Sequence, residues 1–212
     1  MGAVSDADLP PVAGAVVLVP VKAFTAAKER LAPRLDADAR ARLARAMAER
    51  VVAAAAPLPV AVVCDDTEVA TWAAALGAMV LPEPGRGLDG AVEAGVARLI
   101  EAGASEVLVV HGDLPLAADL ARLVGFGGIT LVPDRRDDGT NVIGLPAGAS
   151  FGFSYGAGSF SRHRAAAERS GLPWRVVREP ELEWDVDLPD DIPVELAVLA
   201  GVQVRPGGPP AR

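Results

Sequence analysis

Residues 106–115 read EVLVVHGDLP. An unbroken apolar run, Val107 to Val110, ends in a histidine, a glycine and an acid. A run that is apolar on both faces suits a buried parallel strand, and open α/β sheets bind their ligands beyond the carboxyl ends of such strands. Asp113 is therefore expected at a ligand crevice. Its carboxylate has two readings on this stretch alone. It can be a metal ligand, or it can cap a helix beginning near Pro115, because Asp ahead of a first-turn proline is a favoured helix start.

Three further runs of the same kind precede it: AVVLVPV (15–21), PVAVVCDD (59–66) and AMVLPE (78–83). Between the first two, Leu35, Ala39, Leu43, Met47 and Val51 recur every fourth residue in an arginine-rich background, the pattern of an amphipathic helix. GLDGAVEAGVARLIEAGA (87–104) reads as another helix, ended by Gly103. Strand alternating with helix predicts right-handed crossovers and a three-layer α/β fold around a mostly parallel, doubly wound sheet. After Gly125 the pattern changes. GITLVPD (128–134) and the shorter NVIGLP (141–146) read as strands, and GASFGFSYGAGS (148–159) as a long loop of the kind that binds something. SFSRHRAAAERSG is expected to be a helix with Ser159 as N-cap, WRVVRE a strand, and PDDIPVELAVLAG the last helix. Residues 1–205 are expected to form one domain, with 206–212 a disordered tail.

Hydrophobic residues make up 51% and charged residues 23%, enough apolar material for one well-buried core. The 28 acidic residues outnumber the 20 basic ones for a net charge of −8, which argues against nucleic acid as a partner. One cysteine, Cys64, excludes an internal disulfide and a cysteine-rich zinc site. No apolar run approaches the ~18 residues that span a bilayer, and the N-terminus has no basic leader, so a cytoplasmic protein with no membrane contact is expected.

Two more stretches carry candidate chemistry. In EWDVDLPDD, Asp185 and Asp187 are alternate residues of an extended segment, so both carboxylates can converge on one cation. The alternative is that Asp187 caps a helix beginning at Pro189. Carboxylates brought together from separate strands suit magnesium, a hard cation that keeps water and phosphate oxygens as its other ligands. PVKAFTAAKERLAPR (20–34) places Lys22, Lys28, Arg30 and Arg34 in the loop after the first strand, where phosphates are expected. Lysine neutralises a phosphate as a point charge and arginine grips it bidentately, although a solvated surface loop has the same composition. The chain lacks both the GxxxxGKS of a P-loop and the GxGxxG of a dinucleotide site, which weighs against kinase-like NTPases and dehydrogenases.

Taken in order, LVPVKAFTAAKERLAP (18–33), EPGRGLDGAV (83–92), VVHGDLPLA (109–117), PDRRDDGTNVIGLP (133–146), FSYGAGSFSRH (153–163) and WDVDLPDDI (184–192) cover nearly the whole chain. Together they resemble the phosphoenolpyruvate and 2-phospho-L-lactate guanylyltransferases of coenzyme F-420 biosynthesis. The resemblance implies a glycosyltransferase-A-like nucleotidyltransferase fold. It implies that Lys22, Lys28 and Arg30 receive the triphosphate of GTP, with Gly87 and Asp89 also at the nucleotide. Asp113 and Asp187 would bind Mg2+, with Asp185 a further candidate. Thr140, Gly156 and Ser159 would hold phosphoenolpyruvate, preferred over 2-phospholactate because the composition looks bacterial. GTP, a small phosphorylated acid and the downstream enzyme of F-420 assembly are the implied partners.

The implied reaction needs no protein nucleophile. An acceptor phosphate oxygen attacks the α-phosphorus of GTP and pyrophosphate leaves, so the protein's task is to bring two anions together. His111 and His163 are accordingly expected to be structural or phosphate-contacting rather than general bases. The chain departs from the family pattern at Asp89, where asparagine is usual, at Glu29 in an AKSRL-like stretch, and at Leu188, where threonine is common. Competing readings are a molybdopterin- or cytidylyltransferase-like enzyme and a nucleotide-binding module without turnover.

Overall fold

The structure, a computed structural model, describes residues 9–199 and 201–202. Each apolar run of the N-terminal half is a strand: β1 (Gly14–Pro20), β2 (Val60–Cys64), β3 (Met79–Pro82) and β4 (Ala104–Val110). Helices α1 (Ala37–Ala54), α2 (Thr67–Ala75) and α3 (Gly87–Glu101) join them. Asp36 and Asp66 start the first two helices by accepting the N–H of Ala39 and Val69. The second half supplies β5 (Ile129–Pro133), β6 (Thr140–Pro146), α4 (Ser159–Arg169), β7 (Trp174–Val176), α5 (Pro180–Glu183) and α6 (Val194–Leu199).

All seven strands join one sheet in the order β3-β2-β1-β4-β6-β5-β7. Only β6 runs against its neighbours, β4 and β5; the other pairings are parallel. The reversal follows from the short connection between β5 and β6, which leaves no room for a crossover. Asp134 holds that turn, its carboxylate accepting the N–H of Arg136, Asp138 and Gly139.

The pleat of β1 divides the core. Val17 and Val19 face a layer built by Ala48 and Val51 of α1 and Val69 and Trp72 of α2. Val16 and Leu18 face the opposite layer, with Val92, Val96 and Leu99 of α3 and Phe160 of α4. Gly95 lets α3 lie close on the sheet, since a Cβ there would stand 3.0 Å from a Leu18 methyl. The three-layer, mostly parallel architecture is as expected from the strand-helix alternation. A third cluster matters for the site: Leu35, Leu43 and Met47 of the α1 side close over Val186, which is completely buried.

Four local expectations are corrected. No helix starts near Pro115; turns lead to a single 3-10 turn at Leu120–Leu123, because Leu114, Leu120 and Leu123 each dip into the core and Arg50 Nε donates to the Ala117 carbonyl. Asp113 therefore caps nothing. Ser159 is the first helical residue of α4 rather than its cap, which is Gly158 in the left-handed region. The last predicted helix splits into a 3-10 turn, Pro189–Asp191, and α6, with Pro193 between them unable to donate the N–H a continuous helix needs. Asp187 does not cap that turn either; the carboxylate engaged there is that of Asp191. Residues 206–212 lie outside the described residues.

Candidate functional site

The carboxyl ends of β1 and β4 are adjacent, and the loops leaving them wall a cavity of about 400 Å³. Lys22, Lys28 and Arg30 line it from the first loop, His111 and Asp113 from the second, and Asp187 from the C-terminal segment. Three distant stretches of sequence thus meet at one point of the sheet. Burial of Val186 explains the third. With Val186 held in the α1 cluster and its N–H 3.3 Å from the Asp113 carbonyl, the residues on either side of it, Asp185 and Asp187, turn toward the crevice.

Lys28 is the centre of the charge arrangement. Its Nζ is 2.6 Å from Asp113 Oδ2 and 3.5 Å from Asp187 Oδ1. Its backbone is left-handed, φ 55°, a conformation that costs a non-glycine residue about 1–2 kcal/mol and that clusters at functional sites. Burial alone would pull the ammonium down, but Asp113 outweighs it and holds the group above the usual lysine value. Burial alone would push the Asp113 carboxyl up, and Lys28 holds it below the usual carboxylate range. Arg30 reaches Asp187 at 3.3 Å with a largely exposed side chain, so that pair contributes little to stability. Lys22 is exposed at the cavity wall.

Asp185 is the strained member. It is buried, its Oδ1 has no hydrogen-bond partner among the described residues, and its carboxyl is pushed up to about 6, by burial first and then by Asp113 and Asp187. Asp113 Oδ1 is likewise without a partner. As they stand, no three ligand side chains among the described residues converge on one point, because the Lys28 ammonium lies between Asp113 and Asp187. A crowded acid group with unpaired oxygens, bridged by a cation, fits a divalent metal held by two carboxylates and completed by oxygens from outside the chain.

Other candidate residues sit beside this centre rather than in it. Thr140 opens β6 and is buried, with Oγ1 2.9 Å from His163 Nδ1. Gly156, at φ 96°, accepts the N–H of Ser159 through its carbonyl, and Ser159 is buried at the start of α4. His111 links the two groups: it lines the cavity, its N–H bonds the Asn141 carbonyl beside Thr140, and its ring lies 4.8 Å from that of Tyr155 in the long loop. Of the α3 start, Leu88 lines the cavity, while the Asp89 carboxylate accepts the Tyr155 N–H at 2.9 Å; Gly87, at φ 66°, begins the helix.

One important residue was missed in the sequence. Asp191 accepts the N–H of Asp187 at 3.1 Å and of Leu188 at 2.8 Å, and pairs with Arg135 and Arg136, which fixes the backbone carrying Asp187. Burial would raise its carboxyl, but these backbone bonds and Arg136 hold it low. The signal was present: an acid three residues beyond Leu188 can reach back to the N–H groups that open the turn, as the third-position acid of a capping box does.

The chain is similar to known proteins over most of its length. Residues 15–201 match the family model described as guanylyl transferase CofC like. A phosphoenolpyruvate guanylyltransferase of Rubrobacter xylanophilus is 40% identical over 198 residues, covering 89% of this chain and 96% of that one. One of Sphaerobacter thermophilus is 38% identical over 186 residues, covering 84% and 90%. Among solved structures, a chain from Desulfovibrio desulfuricans G20 assigned to the nucleotide-diphospho-sugar transferases superposes with a TM-score of 0.69 at 18% identity, covering 84% of each chain. A 4-diphosphocytidyl-2C-methyl-D-erythritol synthase superposes with a TM-score of 0.53 at 16% identity, covering 88% of this chain and 98% of that one. At such identities the likeness is one of fold.

Proposed function

Because the chain belongs to the CofC-like guanylyl transferase family, we propose that it transfers GMP from GTP to the phosphate of phosphoenolpyruvate, releasing pyrophosphate, as a step of coenzyme F-420 biosynthesis in the cytoplasm. The observation that carries this reading is the meeting of Lys28, Asp113 and Asp187 in one cavity at the carboxyl ends of β1 and β4, with Asp185 buried beside the two acids.

A phosphate oxygen of the acceptor forms the new bond to the α-phosphorus of GTP as the bond from that phosphorus to the bridging oxygen breaks. Pyrophosphate carries away the electron pair, and no proton has to be removed from an already ionised phosphate. Lys22, Lys28 and Arg30 face the triphosphate and offset the charge that gathers on the leaving group. Asp113 and Asp187, with Asp185 as a further ligand, would hold Mg2+. When bound, the metal supplies charge neutralisation on the phosphates and a template for their alignment. Thr140, Gly156 and Ser159 hold the acceptor's phosphate and carboxylate. Glycine at 156 gives the backbone the left-handed turn that brings its N–H groups close to a small anion, and the N-terminus of α4 favours negative charge there. The product passes to the downstream enzyme of F-420 assembly.

The test is direct. Purified protein is incubated with GTP, Mg2+ and equal amounts of phosphoenolpyruvate and 2-phospholactate, and the guanylylated product is identified by mass. The phosphoenolpyruvate adduct with stoichiometric pyrophosphate is expected. Predominance of the phospholactate adduct, or turnover only with another nucleoside triphosphate, overturns the assignment.

A further inference from the structure

Ser154, His163 and Thr140 form a line of hydrogen bonds through the elements placed at the acceptor. His163, on α4, is completely buried. Its Nε2 lies 3.0 Å from the Ser154 nitrogen and must accept, because a backbone N–H can only donate. An accepting Nε2 carries no proton, so a neutral ring carries its proton on Nδ1. Burial, helped by His111 and Arg162, pulls the ring down to about 4, so it is neutral near pH 7. Nδ1 stands 2.9 Å from Thr140 Oγ1 and donates to it. Phe151 at 5.7 Å and Tyr155 at 5.1 Å box the ring in and prevent it from turning over.

We propose that His163 is a positioning residue for the acceptor: by donating from Nδ1 to Thr140 Oγ1, it turns the threonine's own hydrogen away from the ring and toward an anionic oxygen. A free threonine hydroxyl rotates, and it donates or accepts as its neighbours require. Here one accepting position is filled from behind, so the hydroxyl hydrogen must point away from the ring. An oxyanion placed there receives that hydrogen without the hydroxyl first having to turn. The hydrogen-bonded chain also strengthens the outgoing donor. This inference rests on the placement of the acceptor at Thr140 proposed above.

Two replacements separate this role from simple loop pinning. His163→Gln keeps an acceptor near the Nε2 position for the Ser154 N–H but loses the donor toward Thr140. His163→Asn keeps a donor near the Nδ1 position and loses the clamp on Ser154. Affinities for phosphoenolpyruvate and for a non-hydrolysable GTP analogue are measured by calorimetry with Mg2+ present. The Gln variant is expected to bind phosphoenolpyruvate about tenfold more weakly, as for one lost hydrogen bond to a charged group, with nucleotide affinity kept. In a Thr140→Val background the same change should cost nothing more, and the Asn variant should stay nearer the parent. The reverse order of Gln and Asn, or an equal loss of nucleotide affinity, overturns the positioning role.

Nitrogen NMR of the parent protein reads the tautomer without any substitution. A His163 ring protonated on Nε2 at pH 7 overturns the inference even if a variant fails to fold. Failure of the underlying reading looks different: a parent that binds the nucleotide but not phosphoenolpyruvate sinks the acceptor assignment, and the inference with it. A parent that binds both, alongside a Gln variant that binds both equally well, sinks the inference alone.

Discussion

Lys28 Nζ lies 2.6 Å from Asp113 Oδ2 although 85 residues separate them in the chain. Each sets the ionisation of the other, the lysine held above and the aspartate below its usual range. The pair stands where the loop after β1 meets the loop after β4, and Asp187 completes the contact from the C-terminal segment. Such a closed arrangement of charges is expensive to assemble in a cleft unless it serves the anions that enter there.

Asp113→Asn and Asp187→Asn should each lower kcat/KM at least about tenfold in saturating Mg2+, since each removes one charged oxygen ligand while keeping side-chain shape. Far-ultraviolet circular dichroism should stay like that of the parent. Turnover at the parental rate by either variant would remove that residue from the proposed metal site.

Lys28→Ala should raise the KM for GTP more than that for phosphoenolpyruvate, because the proposed reaction sets its ammonium against the triphosphate. Added salt should reproduce the defect only in part, since a largely buried charge is less screened than a surface one. Steady-state kinetics with each substrate varied in turn decide it, and an unchanged KM for GTP returns Lys28 to a purely structural pairing.

Asp191→Ala should act through Asp187. It leaves the Asp187 and Leu188 N–H groups and two arginines without their shared acceptor, a loss of about 3–5 kcal/mol if the cluster does not rearrange. Urea unfolding should show the destabilisation, and activity should fall in the folded protein at low temperature. Full activity there would mean that Asp187 is positioned without this carboxylate.

The pH dependence of stability should carry a His163 signature. The folded ring titrates at about 4 and the unfolded one near 6.5, so as pH falls the unfolded chain takes up the proton first. The contribution of His163 is therefore full above the unfolded value and declines between pH 6.5 and 4, by up to about 1.4 kcal/mol per pH unit. His111, also lowered by burial, adds in the same direction, and Asp185, raised to about 6, opposes both. Subtracting the unfolding curve of His163→Gln from that of the parent isolates the ring, and a pH-independent difference across this window contradicts the assignment.

The sequence by itself determined the sheet and its helices, because periodicity is a local property. Apolar runs such as Val107–Val110 bury both faces inside a sheet that helices cover on both sides, and the four-residue spacing from Leu35 to Val51 can bury one face only as a helix. It also marked Lys28, Asp113 and Asp187 as candidates, the lysine from a cationic loop beyond the first strand and the acids from their places after extended segments. It could not decide between capping and ligand roles for the two acids; that needed the fold, in which no helix begins at Pro115 and Asp191 takes the capping bonds at Pro189. Nor did it foresee that Asp89 would turn to the Tyr155 N–H, or that His163 would join Ser154 to Thr140. Those are pairings between side chains and backbone groups far apart along the chain. Hydrogen bonding has a reach of about 3 Å and a strict direction, so its partners are chosen only once packing has brought the segments together.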